Sequence, residues 1–193
     1  MNVDAAWIRR WSDRYLEGLT PKQRSEEEAL LLEVGPVART RGHYLPRELL
    51  RINKWKLPTE RNRSQLARNS EQDIVAATKL AFSVPTHLQL DVLVGFLHGV
   101  SDAVASAFLI FPFPDDHTVI DFRAARALEG LRRLSWIDLD LRWRPREDPD
   151  DGWAPPYLTY LQACKTVAER AAVGLRDLDR ALWQWHKEGM PES

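Results

Sequence analysis

"HGVSDAVASAFLIFPFPDDHTVID", residues 98–121, is the stretch on which the fold turns. A Gly-Val turn leads into a helix of small and apolar residues, and a proline-punctuated loop follows. Asp121 then stands after the apolar pair Val119-Ile120, where a new helix begins. Aspartate is a favoured helix N-cap, because its carboxylate accepts from the free N–H groups of the first turn. A carboxylate so placed can also serve chemistry, by stabilising positive charge on a sugar or by activating a water. The residues around Asp121 have to separate the two roles.

Outward from this stretch the hydrophobic period is helical almost throughout. Trp7, Trp11 and Tyr15 share one face of a first helix. Ala29 to Val34 form a short apolar run that Gly35-Pro36 is expected to end. Pro46 suits the first turn of a helix carrying Leu49, Leu50 and Ile52, which Pro58 stops. Ser70 with Asp73 reads as a cap before "IVAATKLAFSV", and Pro85 breaks that helix. Residues 87–97 form another, His98-Gly99 turn, and a helix runs from about Ser101 to Ile110. Asp121 opens "DFRAARALEGLRRL", residues 137–152 read as an irregular charged connection, and two helices separated near Gly174 close the chain. Only "HTVI" hints at an extended segment. The expected class is all-α, with about eight to ten helices.

A chain of 193 residues can bury one sizeable core, so a single domain with two lobes is the expectation. With 44% hydrophobic and 28% charged residues, the composition is that of a globular protein, neither fibrous nor disordered. No apolar run approaches the length of a membrane span, and "MNVDAAWIRRWSDRYL" reads as an amphipathic helix without a signal pattern. Cys164 is the one cysteine, which excludes an internal disulfide and any four-cysteine zinc or iron–sulfur site. The five histidines show no metal-ligand spacing, so neither metal nor cofactor is expected, and the expected compartment is the cytoplasm.

The net charge of −1 argues against a nucleic-acid binder, but its distribution does not. Between Arg39 and Arg68 stand nine Arg or Lys and two acidic residues, Glu48 and Glu60, while acids collect in "SEEE" and "REDPDD". A basic segment of this kind is what a phosphate-facing surface needs. Solvated faces of ordinary helices would look the same.

Leu97, His98, Gly99, Val100, Ser101 and Ala105, then Pro112 or Pro114, then Val119, Ile120 and Asp121, follow a recognisable order and spacing. The block resembles the helix-hairpin-helix DNA glycosylases of base-excision repair, the superfamily that includes endonuclease III and 8-oxoguanine glycosylase. Their pattern is "L-x-G-V-G-x-x-x-A", an apolar helix, a Pro-bearing loop and a "V-D" step. The resemblance implies a two-lobed helical fold, with residues 46–128 as one lobe around a hairpin at 87–110, and 1–45 with 129–193 as the other. It further implies a monomer acting on duplex DNA that carries a damaged base. Gly99, Val100, Ser101, Asp102 and Ala103 would grip the backbone, with N–H groups and the helix dipole facing a phosphate. The target nucleotide would be flipped out, and Asp121 would be the catalytic carboxylate at its sugar.

Two departures qualify this resemblance. Bifunctional relatives carry a lysine nucleophile where this chain has Ala103, so the implied activity is monofunctional base release, with Lys56 as a remote surrogate amine. Ser101 replaces the motif's second glycine and puts a side chain where close approach is wanted. A silent module that binds DNA or protein on the same fold is the alternative. Trp7, Trp11, Trp183 and Trp185 are expected to pack the terminal helices, while Trp55 and Trp153 are candidates to line a base pocket. His98 and His117 flank the motif as candidate DNA contacts, and "RDLDR" over 176–180 reads as a solvated helix face.

Overall fold

A computed structural model describes residues 3–57, 59, 64–139 and 156–191. All regular structure among them is helical, and the "HTVI" segment, residues 117–120, forms no strand. The helices are α1 Ala5–Glu17, α2 Pro21–Ala29, α3 Gly35–Arg41, α4 Pro46–Lys56, α5 Glu71–Ser83, α6 Thr86–Phe96, α7 Asp102–Ile110, α8 Phe122–Arg133, α9 Tyr157–Ala171 and α10 Leu175–Lys187. No described helix is long and apolar enough to cross a membrane. The chain divides into two compact units, residues 21–119 and residues 1–20 with 120–193. The lobes expected from the resemblance were bounded at 45/46 and 128/129. Residues 21–45 belong with the hairpin unit because Gly35, Arg39 and Tyr44 all contact the segment 108–113.

In the first of these units, 21–119, the expected stop at Gly35-Pro36 does not occur. A π-helical turn, Leu30–Val34, joins α2 to α3, and the N–H of Gly35 reaches back to the Leu30 carbonyl. The wider turn shifts the hydrogen-bond register just before Pro36, so the proline falls in the first turn of α3, where its missing N–H costs nothing. Glycine is required at 35 for a steric reason. A Cβ there would lie 2.1 Å from the Phe111 carbonyl oxygen, so α3 packs directly on backbone at the end of α7. Tyr44 ties three segments together, since its N–H donates to Thr78 Oγ1 of α5 (3.1 Å) and its hydroxyl donates to the Phe108 carbonyl (2.8 Å). Around it Leu30, Leu49, Ile52, Leu93, Phe108 and Phe111 are almost completely buried.

α4 begins with Glu48 accepting from the Leu45 N–H (2.8 Å) and from both terminal nitrogens of Arg41 (2.7 and 2.9 Å). Burial opposes ionisation of Glu48, but the Arg41 hydrogen bond, the Leu45 N–H and the charges of Arg41 and Arg47 outweigh it. The carboxyl is held below its ordinary range. α5 carries the expected capping box, with Ser70 Oγ accepting from the Asp73 N–H (3.1 Å) and Asp73 Oδ2 accepting from the Ser70 N–H (3.0 Å).

The second unit, residues 1–20 with 120–193, is organised by tryptophan. Asp4 caps α1 by accepting from the Trp7 N–H (2.8 Å). Trp7 then packs edge-on against Trp185 of α10 (5.7 Å) and beside Trp11 (6.1 Å). α10 also lies along α8 and α9, so it forms the centre of the unit. The "RDLDR" run is not a solvated face. Arg176 and Asp179 are buried and ion-paired, because their turn of α10 faces Tyr15 of α1, over whose ring the Arg176 guanidinium sits at 5.6 Å.

Two glycine substitutions should separate structural need from accident. Gly35→Ala should lower the stability of the 21–119 unit by about 1–3 kcal/mol through overpacking against backbone. Gly95→Ala, with open space around its Cβ in α6, should be neutral or stabilising by up to about 1 kcal/mol. Urea denaturation of both variants measures the contrast.

Candidate functional site

Within the 21–119 unit, residues 86–110 form two helices joined by a tight turn, α6–turn–α7. Leu97 and Val100 are buried and pin the turn, while His98, Gly99, Ser101 and Asp102 are exposed. Asn69 clasps it through its side-chain amide. Oδ1 accepts from the His98 N–H (2.8 Å), and Nδ2 donates both to the His98 carbonyl (3.0 Å) and to the Leu66 carbonyl (2.8 Å). The amide thus pairs with His98 as a second peptide unit would. Gly99 has φ +74°, and a Cβ on it would lie 2.5 Å from Gln65 Cβ. Conformation and space both demand glycine here, and the close approach it permits is to the chain's own 64–69 turn.

This clasp leaves the next N–H groups unused. Among the described residues, the N–H groups of Gly99, Val100, Ser101, Asp102 and Ala103 make no hydrogen bond. The first bonds of α7 are made by Val104 and Ala105, both to the Ser101 carbonyl (2.9 and 2.8 Å). Ser101 holds the N-cap position, yet its hydroxyl makes no capping bond. Such a run of unaccepted N–H groups at a helix start is an anion-binding geometry. The exposed Asp102 carboxylate in the same turn works against it.

Asp121, in the other unit, is the N-cap of α8 and is half-buried. Its Oδ1 accepts from the Arg123 N–H (2.9 Å), the geometry of an ordinary cap. Its surroundings are unusual. Phe122 stands edge-on to His186 of α10 (6.1 Å), and the Arg123 guanidinium lies over both Phe122 (5.0 Å) and Trp183 (5.9 Å). Among the described residues, buried His186 Nδ1 has no hydrogen-bond partner. Burial, then the charges of Arg123 and Arg126, push this imidazole below the ordinary histidine range, with Asp121 pulling the other way. Tyr160 and Cys164 lie deeper in the unit. Burial first, and then neighbouring charge, pushes the phenol far up, and burial does the same to the thiol, which favours the neutral form of both.

The remaining sequence candidates are not gathered into one place. Trp55 is half-buried with its ring edge-on to Phe111 (5.1 Å), a packing contact. Lys56 ends α4, half-buried. His117 is fully enclosed, with Nε2 2.6 Å from Gln89 Oε1, so its ring has no surface to offer DNA. Trp153 lies outside the described residues. The basic segment is partly spent inside its own unit. Arg41 pairs with Glu48 and Arg51 with Glu26, while Arg39 reaches the Pro112 carbonyl and Arg68 reaches Gln65. The charge count of that segment therefore overstates what it presents to a phosphate.

Sequence reading missed two features. Asn69 reads as a loop residue because its partner, His98, is far away along the chain. The cations around Trp183 were hidden because the pairing of α8 with α10 is tertiary. Among known proteins, no family model matches this chain, and no curated protein or solved structure matches it.

The clasp gives a direct prediction. Asn69→Ala should cost about 1–3 kcal/mol, the usual loss when buried hydrogen-bond partners are orphaned. It should also raise hydrogen exchange at the His98 amide well above that of amides in α6, as read by NMR.

Proposed function

We propose that the protein is a monofunctional DNA glycosylase-like enzyme, with the turn at 98–103 gripping the DNA backbone and Asp121 as the carboxylate at the sugar. One observation carries the reading. Five consecutive N–H groups, Gly99 to Ala103, make no hydrogen bond among the described residues, on a turn that the Asn69 amide clasps. A phosphodiester supplies acceptors of the right charge for such a row, and the dipole of α7 adds to the attraction. This is also the segment whose sequence resembles the glycosylase hairpin, with Asp121 at the resembling distance.

The chemistry assigned to Asp121 is that of a carboxylate facing an N-glycosidic bond. As the C1′–N bond lengthens, positive charge grows on the sugar, and a fixed negative group stabilises it more than it stabilises the ground state. A water then adds at C1′ and loses its proton, leaving an abasic site and a free base. With Ala103 in place of a lysine, no amine adduct is assigned, and strand cleavage is not part of the reaction.

A second reading, a binding module without chemistry, is favoured by two particulars. The Asp121 carboxylate already serves as a helix cap, and Asp102 places negative charge within the proposed phosphate grip. Base release distinguishes the two. Duplexes carrying 8-oxoguanine, an alkylated adenine, uracil or hypoxanthine should be incubated with the protein and split with and without alkali. The enzyme reading predicts cleavage only after alkali and its loss in Asp121→Asn with DNA binding retained. Activity that survives Asp121→Asn removes the carboxylate from its role. Salt-sensitive binding without product from any lesion leaves the module.

A further inference from the structure

Around Trp183, in the unit formed by 1–20 and 120–193, two cations stand without an ion pair among the described residues. The Arg123 guanidinium lies 5.9 Å from the Trp183 ring centroid and the exposed Lys187 ammonium 5.0 Å from it. Neither side chain makes an ion pair or a side-chain hydrogen bond among the described residues. Cation–π attraction accounts for where the two charges sit, but not for their N–H donors, which it leaves with only water to bond. Trp183 is itself half-buried, with its ring edge-on to Tyr15 (5.6 Å). Phe122 and Arg126 continue the alternation, with the Arg126 guanidinium 5.9 Å from the Phe122 ring. The surface therefore alternates aromatic rings with positive charges.

We propose that this face, centred on Trp183, Arg123 and Lys187, is a binding surface for an unstacked, single-stranded nucleic-acid segment. A base stacks on the exposed part of Trp183 and displaces one cation from the ring. Arg123 and Lys187 then turn their donors to the flanking phosphates. A duplex hides its base faces and offers only its phosphates, so single strands bind here more tightly than the same sequence paired. Sequence preference is weak, because every base has a face to stack and no donor or acceptor is set to read its edge. The inference goes beyond the glycosylase reading and uses neither the hairpin nor the Asp121 carboxylate.

Fluorescence anisotropy of a labelled oligothymidylate of about 15 nucleotides, a length that covers a typical single-strand site, tests the proposal on the full chain. Trp183→Leu should weaken binding at least about fivefold, the lower bound for loss of one base–aromatic stack. Trp183→Phe, which keeps a ring, should retain most of it. Arg123→Gln and Lys187→Gln should each reduce the slope of log affinity against log salt by about 0.7. Circular dichroism melts establish that each variant is folded. Absence of oligonucleotide binding overturns the proposal, and so does binding that Trp183→Leu and the two cation variants leave unchanged. Base release from a lesion duplex is measured on the same parent protein. No base release by the parent protein with oligonucleotide binding intact counts against the glycosylase reading alone, and base release without oligonucleotide binding counts against this surface alone.

Discussion

The hairpin unit depends on a single amide side chain doing the work of a peptide bond. Asn69 gives His98 both a donor and an acceptor, so the turn between α6 and α7 is hydrogen-bonded to the 64–69 turn rather than to itself. Once His98 is fixed in this way, Gly99 must take a left-handed conformation against Gln65, and no other residue fits there. The N–H groups of Gly99 to Ala103 then make no hydrogen bond among the described residues. What makes the segment look like a phosphate grip is thus a by-product of how it is held, and the two cannot be varied independently.

Rigidity at the turn is transmitted along α7. From Val104 to Phe111 every residue is buried, and this helix is the post on which α3 rests through Gly35 and to which Tyr44 is tied through Phe108. The π turn before α3 belongs to the same arrangement, since it lets the chain run through Gly35-Pro36 without a break and bring Gly35 onto Phe111. In the other unit a layer of tryptophans does the corresponding work. Trp7, Trp11 and Trp185 fill the space between α1 and α10, and α8 lies along α10 with Asp121 at its start. Asp121 is therefore placed by the helix it caps, and structure and proposed chemistry draw on the same carboxylate.

The all-α class and most helix limits were legible in the sequence because they rest on local signals. The Ser70–Asp73 box, the proline starts and the 3.6-residue spacing of Trp7, Trp11 and Tyr15 each act within a few residues. The turn between the helices Thr86–Phe96 and Asp102–Ile110 was legible for the same reason. The signals that misled were local too. Gly35-Pro36 looks like a stop until the π turn is seen to absorb it, and Arg176 and Asp179 look like solvated charges until α1 is seen to cover them. Basic residues between Arg39 and Arg68 suggested a phosphate surface, but a count of charges does not show that Glu48 and Glu26 have already claimed two of them. His117 failed as a DNA contact because burial is a property of the whole unit. Neither the Asn69 clasp nor the cations over Trp183 could be read in advance, since each pairs side chains brought together only by tertiary packing.

Whether the N–H row from Gly99 to Ala103 takes a phosphate is read from backbone amide chemical shifts, followed residue by residue during titration with a duplex containing a stable abasic-site analogue. The amides of 99–103 should move most within the 21–119 unit, and raising the salt concentration should reverse the change. DNA binding that leaves these five amides unmoved would contradict the phosphate grip.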